Sequence, residues 1–133
     1  MMNESICEID KDGNKTWCLD GKFHRADGPA IEYSNGVTAW YLNGQRHRED
    51  GPAVIFTNGT KIWYINDQCH RLDGPAYINI DIGTTSWVIN NNDVTDKITT
   101  WAKENSIDLN NLTDVDKALI KIVWADYNEW INL

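Results

Sequence analysis

The chain has 133 residues, 41% of them hydrophobic and 24% charged, which is ordinary for a globular protein of one compact unit or two small ones. A net charge of −8 and a pI of about 4.7 argue against nucleic acid or anionic membrane as direct partners, because both need basic surface. Seven Trp and five Tyr give a small chain large amphipathic contact surfaces.

The N-terminus Met1-Met2-Asn3-Glu4 has neither the charged start nor the apolar core of a signal peptide, and no apolar run approaches membrane-spanning length. Cys7, Cys18 and Cys69 show no metal-ligand spacing, and an odd count does not suit a disulfide framework. A reducing, cytoplasmic compartment is expected.

From residue 8 to about 92 the sequence repeats. His-Arg-x-Asp-Gly-Pro-Ala runs from His24 to Ala30, His47 to Ala53 and His70 to Ala76, a step of 23. Trp17, Trp40 and Trp63 share that step, as do Gly13, Gly36 and Gly59; Gly83 and Trp87 continue it after one inserted residue. Val94 then stands where the next His would be.

Asn35-Gly36, Asn43-Gly44, Asp50-Gly51 and Asn58-Gly59 punctuate the chain at intervals of seven or eight. Such pairs favour two-residue hairpin turns, in which both central residues take positive φ. Segments rich in β-branched and aromatic residues lie between them, predicting strands over 30–34, 37–42, 52–57 and 60–65. Tight turns make successive strands antiparallel neighbours. Side-chain alternation places Trp17, Trp40, Trp63 and Trp87 in one column, and Cys18, Tyr41, Tyr64 and Val88 in a second on the opposite face.

Trp40-Tyr-Leu-Asn-Gly44-Gln-Arg-His47, followed by an Asp-Gly turn and Asn58-Gly59, resembles a MORN repeat. The resemblance covers about two thirds of the chain. It implies hairpins stacked into an elongated, grooved sheet, and mostly scaffolding roles. Where MORN repeats carry Gly-x-Gly after the histidine, this chain carries Arg-x-Asp-Gly-Pro-Ala, a variant similar to repeats of uncharacterised phage and giant-virus proteins.

After Asn92 there is no further Gly or Pro and helical patterning appears. Thr95 or Asp96 is expected to cap a short helix to about Asn105, and Thr113 to start a second running to about Ile131. On the second helix Val115, Leu119, Ile122 and Trp130 form one apolar face, and Ile120, Trp124, Tyr127 and Ile131 another. The expected architecture is mainly β with C-terminal α: an antiparallel meander of stacked hairpins over 1–92, capped by two helices over 93–133.

His-Arg-x-Asp-Gly is superficially similar to the kinase catalytic loop, but nothing else of a kinase is present. A catalytic site is needed once, whereas this motif recurs in each unit, so no catalytic residue is assigned. The three His sit about 10 Å apart, two strands from one another, too far to share a metal, and no metal or cofactor is expected. Arg25, Arg48 and Arg71 form a regular row. Local pairing with Asp27, Asp50 and Asp73 is the favoured reading, and a ladder gripping anions is the alternative.

These features point to a non-enzymatic protein-interaction module, in its narrower form a phage-encoded inhibitor of a host defence complex acting in the host cytoplasm. A small-ligand binder for nucleotide or carbohydrate and a self-associating scaffold are the alternatives. The expected partner surface is Trp124, Tyr127 and Ile131 on the last helix, where a homodimer could also form, together with the Tyr41 and Tyr64 column.

Overall fold

The computed structural model describes residues 4–125. The β part is an antiparallel meander of hairpins, and two helices follow it. One sheet orders its strands Ile6–Ile9, Lys15–Leu19, Ile31–Glu32, Thr38–Ala39, Val54–Ile55, Lys61–Ile62, Tyr77–Asn79 and Thr84–Ser86, with Lys22–Phe23 paired to Lys15–Leu19. Three small hairpins accompany it: Tyr41–Leu42 with Gln45–Arg46, Tyr64–Ile65 with Gln68–Cys69, and Val88–Ile89 with Asn92–Asp93.

The segments expected over 37–42 and 60–65 therefore divide, at Trp40 and Trp63, because the chain changes partners there. Thr38–Ala39 pairs with Ile31–Glu32 and Val54–Ile55, whereas Tyr41 pairs with Arg46 and accepts from Arg25 N–H of the preceding unit at 3.1 Å. Two linked rows of hairpins result, with a Trp at each crossing. Trp40 N–H donates to Ala53 C=O at 2.7 Å in one row, and its C=O accepts from His47 N–H at 3.0 Å in the other. Trp17 does the same with Ala30 and His24, and Trp63 with Ala76 and His70.

The turns fall into three kinds. Asn43-Gly44 is a two-residue turn with φ of 50° and 79°, as the sequence predicts. Asp20-Gly21, Asn66-Asp67 and Asn90-Asn91 take the same left-handed conformation. At Asn35-Gly36 and Asn58-Gly59 only the glycine is left-handed, and Tyr33 pairs with Val37 across a three-residue loop. At Asp50-Gly51 neither residue has positive φ. That expectation is corrected: Gly51 is needed for another reason, given below.

Register fixes the faces of the main sheet. Glu8, Thr16, Ile31, Ala39, Val54, Ile62, Tyr77 and Ser86 are successive cross-strand partners and share one face. Ile9, Lys15, Glu32, Thr38, Ile55, Lys61, Ile78 and Thr85 form the neighbouring rung on the other.

Helix α1 spans Thr95–Glu104 and α2 spans Asp114–Trp124. Val94 donates its N–H to Trp87 C=O at 2.8 Å, the bond His24, His47 and His70 make in earlier units. The motif then gives way to α1. Its N-cap is Val94 rather than Thr95 or Asp96, because the Thr95 hydroxyl is taken by Trp87 N–H at 2.9 Å. For α2 the expected start holds: Thr113 and Asp116 exchange both bonds of a capping box. The stretch expected to continue it to Ile131 lies outside the described residues.

A hydrophobic core sits where the helices close the last hairpins. Trp87, Ile89, Val94, Ile98, Ile120 and Trp124 are buried together, with Leu72, Trp101, Leu109 and Leu112 packed against them. Among the described residues no helix is long and apolar enough to cross a membrane.

Candidate functional site

The repeated motif occupies the Trp face. The Arg48 guanidinium carbon lies 4.0 Å from the centre of the Trp40 ring, Arg25 3.9 Å from Trp17, and Arg71 4.0 Å from Trp63. Each Arg Nε donates to the Asp two residues on: Asp27 at 3.2 Å, Asp50 at 3.0 Å and Asp73 at 2.8 Å. Each Nη1 donates to the C=O of the following Pro at 3.1 to 3.2 Å. The glycine sits on the guanidinium: a Cβ on Gly28, Gly51 or Gly74 would stand 2.8, 2.9 or 2.7 Å from the Arg Cζ. Each glycine thus leaves the space that the Arg fills, and none of the three takes a positive φ.

The remaining motif positions are also accounted for. Nδ1 of His24, His47 and His70 accepts the backbone N–H of Asn43, Asn66 and Asn90, the first residue of the next unit's two-residue turn, at 3.0 to 3.1 Å. This stitches neighbouring hairpins together, with Nδ1 of each ring as the acceptor. Burial pushes the His70 pKa down from its ordinary 6.5. Ala30, Ala53 and Ala76 are fully buried. The variable position follows its surroundings: Glu49 reaches solvent, while Leu72 packs on the helical core.

The local pairing of Arg25, Arg48 and Arg71 with Asp27, Asp50 and Asp73 is therefore present. These guanidinium groups are already stacked and bonded, and their side chains are only 24%, 21% and 23% exposed. Grooves lie between successive turns. One of about 540 Å³ has Trp63 and Ile65 along it, between Arg48–Pro52 and His70–Asp73, with Lys121 of α2 at its side. Among the described residues no group of three His, Cys, Asp or Glu is placed to hold a metal.

The opposite face carries the second column. Tyr41 and Tyr64 are half-buried there, with partners outside the motif. Phe23 and Tyr41 meet at 5.4 Å between ring centres. Arg46, opposite Tyr41 in register, lies 4.0 Å over the Tyr64 ring and binds Asp67 at 2.7 Å. Burial raises the Tyr41 pKa above its usual value despite the Arg46 charge. The hydrogen bonds from Arg46 hold Asp67 below the usual carboxylate range. Tyr33 and Phe56 stand two residues beyond Ile31 and Val54, so alternation puts them on this face, 43% and 40% exposed. Sequence reasoning missed Phe23, Arg46, Tyr33 and Phe56. The signal was the same step of 23, which relates 23 to 46 and 33 to 56 across residues of different type.

On α2 the two apolar faces have the opposite roles to those expected. Trp124 is 8% exposed and meets Trp101 edge-on at 6.1 Å between ring centres, so it faces the core rather than a partner. Val115 and Ile122 are 76% and 77% exposed. The physical reason is that Ile120 and Trp124 fit the end of the last hairpins at Trp87 and Ile89, which leaves the Val115 side outward. Tyr127 and Ile131 lie outside the described residues. No family model, curated protein or solved structure matches the chain.

Proposed function

We propose that this chain is a non-enzymatic protein-interaction module that binds through its Tyr41 and Tyr64 face. The observation that carries the reading is the exposure of Phe23, Tyr33 and Phe56, 38%, 43% and 40%, around that column. Aromatic side chains of this kind dominate the energetic centres of interfaces. The polar groups of the repeated motif are meanwhile consumed within the fold, which argues for structure rather than chemistry. The motif's similarity to repeats of phage and giant-virus proteins supports the narrower form, an inhibitor of a host complex. The net charge of −8 suits a basic target surface.

The test is the double variant Tyr33→Ser with Phe56→Ser. Both side chains are exposed enough for the fold to survive. The variant should keep its melting temperature within a few degrees and lose the partners that the wild-type chain captures from a host extract. Retention of every captured partner would sink the reading. A second reading, self-association through α2, is favoured by the outward Val115 and Ile122.

A further inference from the structure

The two ends of the main sheet differ. At the far end, Thr84–Ser86 leads directly into the buried Trp87, whose N–H is bonded by Thr95 of α1. At the near end, Ile6–Ile9 pairs only with Lys15–Leu19 among the described residues, and all of its positions are exposed. The hydrogen-bond phase follows from the neighbours. Trp17 spends its N–H on Ala30 and its C=O on His24, so Thr16 and Cys18 face the Ile6–Ile9 strand. Asp10 N–H reaches Asn14 C=O at 3.0 Å, and the pairs Glu8 with Thr16 and Ile6 with Cys18 keep that phase. The N–H and C=O groups of Cys7 and Ile9 therefore point away from the sheet.

We propose that this outer edge accepts an extended segment of a partner protein, with basic and apolar residues alternating, as an added strand. Backbone groups of Cys7 and Ile9 supply the ladder bonds. Ile6 and Ile9, 68% and 64% exposed, lie on opposite faces of the strand: Ile9 gains an apolar neighbour, while Ile6, on the face of Glu8, lies against the methylene stems of the basic row. Glu8 between them is answered by a basic side chain opposite, with Glu4 and Asp10 flanking it. The strand has no Pro, no Lys and no bulge, and its one charged side chain is Glu8.

A second copy of the chain fits less well. Antiparallel self-pairing about Glu8 sets Glu8 against Glu8, and pairing about Ile9 sets Glu8 against Asp10. Pairing about Cys7 frees Glu8 but sets Glu4 against Asp10, and every register joins two chains of net charge −8. The ladder bonds here come from backbone groups of Cys7 and Ile9 and involve neither Tyr33 nor Phe56, so either reading can fail without the other.

The probe is an end-capped, fluorescent peptide alternating lysine and valine, with a glutamate–valine peptide as control, followed by anisotropy. Ile9→Pro removes only an outward N–H, which edge strands tolerate. The lysine peptide should bind the wild-type chain and weaken with salt. Ile9→Pro should reduce affinity at least about tenfold without changing the melting temperature. Glu8→Lys should transfer preference to the glutamate peptide. The Tyr33→Ser, Phe56→Ser variant should bind the lysine peptide as the wild type does. Amide exchange on the unaltered chain gives an independent readout: the Cys7 and Ile9 amides must slow when the lysine peptide is added. Equal binding of both peptides, undiminished binding by a folded Ile9→Pro variant, or unchanged exchange at Cys7 and Ile9 would overturn the proposal. So would a wild-type dimer that Ile9→Pro dissolves, since a second copy would then occupy the edge.

Discussion

Arg48 lies 4.0 Å over the ring of Trp40, and a Cβ on Gly51 would come within 2.9 Å of its guanidinium carbon. The three residues form one unit, although eight and three positions separate them from Arg48. Arg48→Ala should cost about 2 kcal/mol of unfolding free energy, through the lost cation–π contact and the bonds to Asp50 and Pro52. Gly51→Ala should cost about 1–2 kcal/mol by displacing the Arg. In the Arg48→Ala background the Gly51→Ala cost should nearly vanish. Denaturant midpoints of the four proteins measure the coupling, and simple additivity of the two costs would refute the unit.

Acid should loosen the stitch that His70 makes between hairpins. His70 Nδ1 accepts Asn90 N–H at 3.1 Å, and a proton placed there turns the acceptor into a donor facing a donor. Burial lowers the folded His70 pKa below 6.5, so the unfolded chain takes up its proton first as pH falls. The contribution is whole above about 6.5 and is lost as pH drops toward the folded value. Stability measured between pH 7.5 and 5 should decline, and His70→Gln should flatten part of that slope. An identical slope in the variant would remove His70 from the account.

Asp67 tests how far a turn can serve two ends. Its φ of 65° would suit glycine, yet its carboxylate accepts from both the backbone and the side chain of Arg46, at 3.0 and 2.7 Å. Asp67→Gly relieves the backbone and releases Arg46 from its place over Tyr64. The expected outcome is a net loss of about 1 kcal/mol, because charged hydrogen bonds outweigh the backbone gain. Tyr64 fluorescence and a thermal melt would check it; a more stable variant would mean the ion pair contributes little.

What was legible in the sequence followed local rules. The step of 23 located each hairpin, Asn43-Gly44 named its own turn, and Thr113 with Asp116 announced a helix start. Asn66-Asp67 and Asn90-Asn91 were not legible as left-handed turns, because neither contains glycine. Gly51 was misread because its constraint comes from a side chain folding back over it, while Asp-Gly ordinarily signals positive φ. The column of Tyr41 and Tyr64 was visible by alternation. Arg46 between them was not, since the same position holds Phe23 and Cys69 in neighbouring units.

The faces of α2 show the same limit and give the last test. Periodicity revealed two apolar stripes, but only the shape of the sheet end decides which one docks. Ile120 and Trp124 meet Trp87, Ile89 and Val94, while Ile122 stays 77% exposed. Trp124→Asp should therefore destabilise by about 3 kcal/mol or more, since it buries a charge and empties a large aromatic site. Ile122→Asp should leave stability within about 0.5 kcal/mol, because it changes an exposed side chain. Sedimentation of the two folded proteins, wild type and Ile122→Asp, then isolates association from folding. If the wild type is a dimer and Ile122→Asp a monomer, the outward stripe of α2 is a contact between copies. If both have the same mass, that stripe plays no part in self-association.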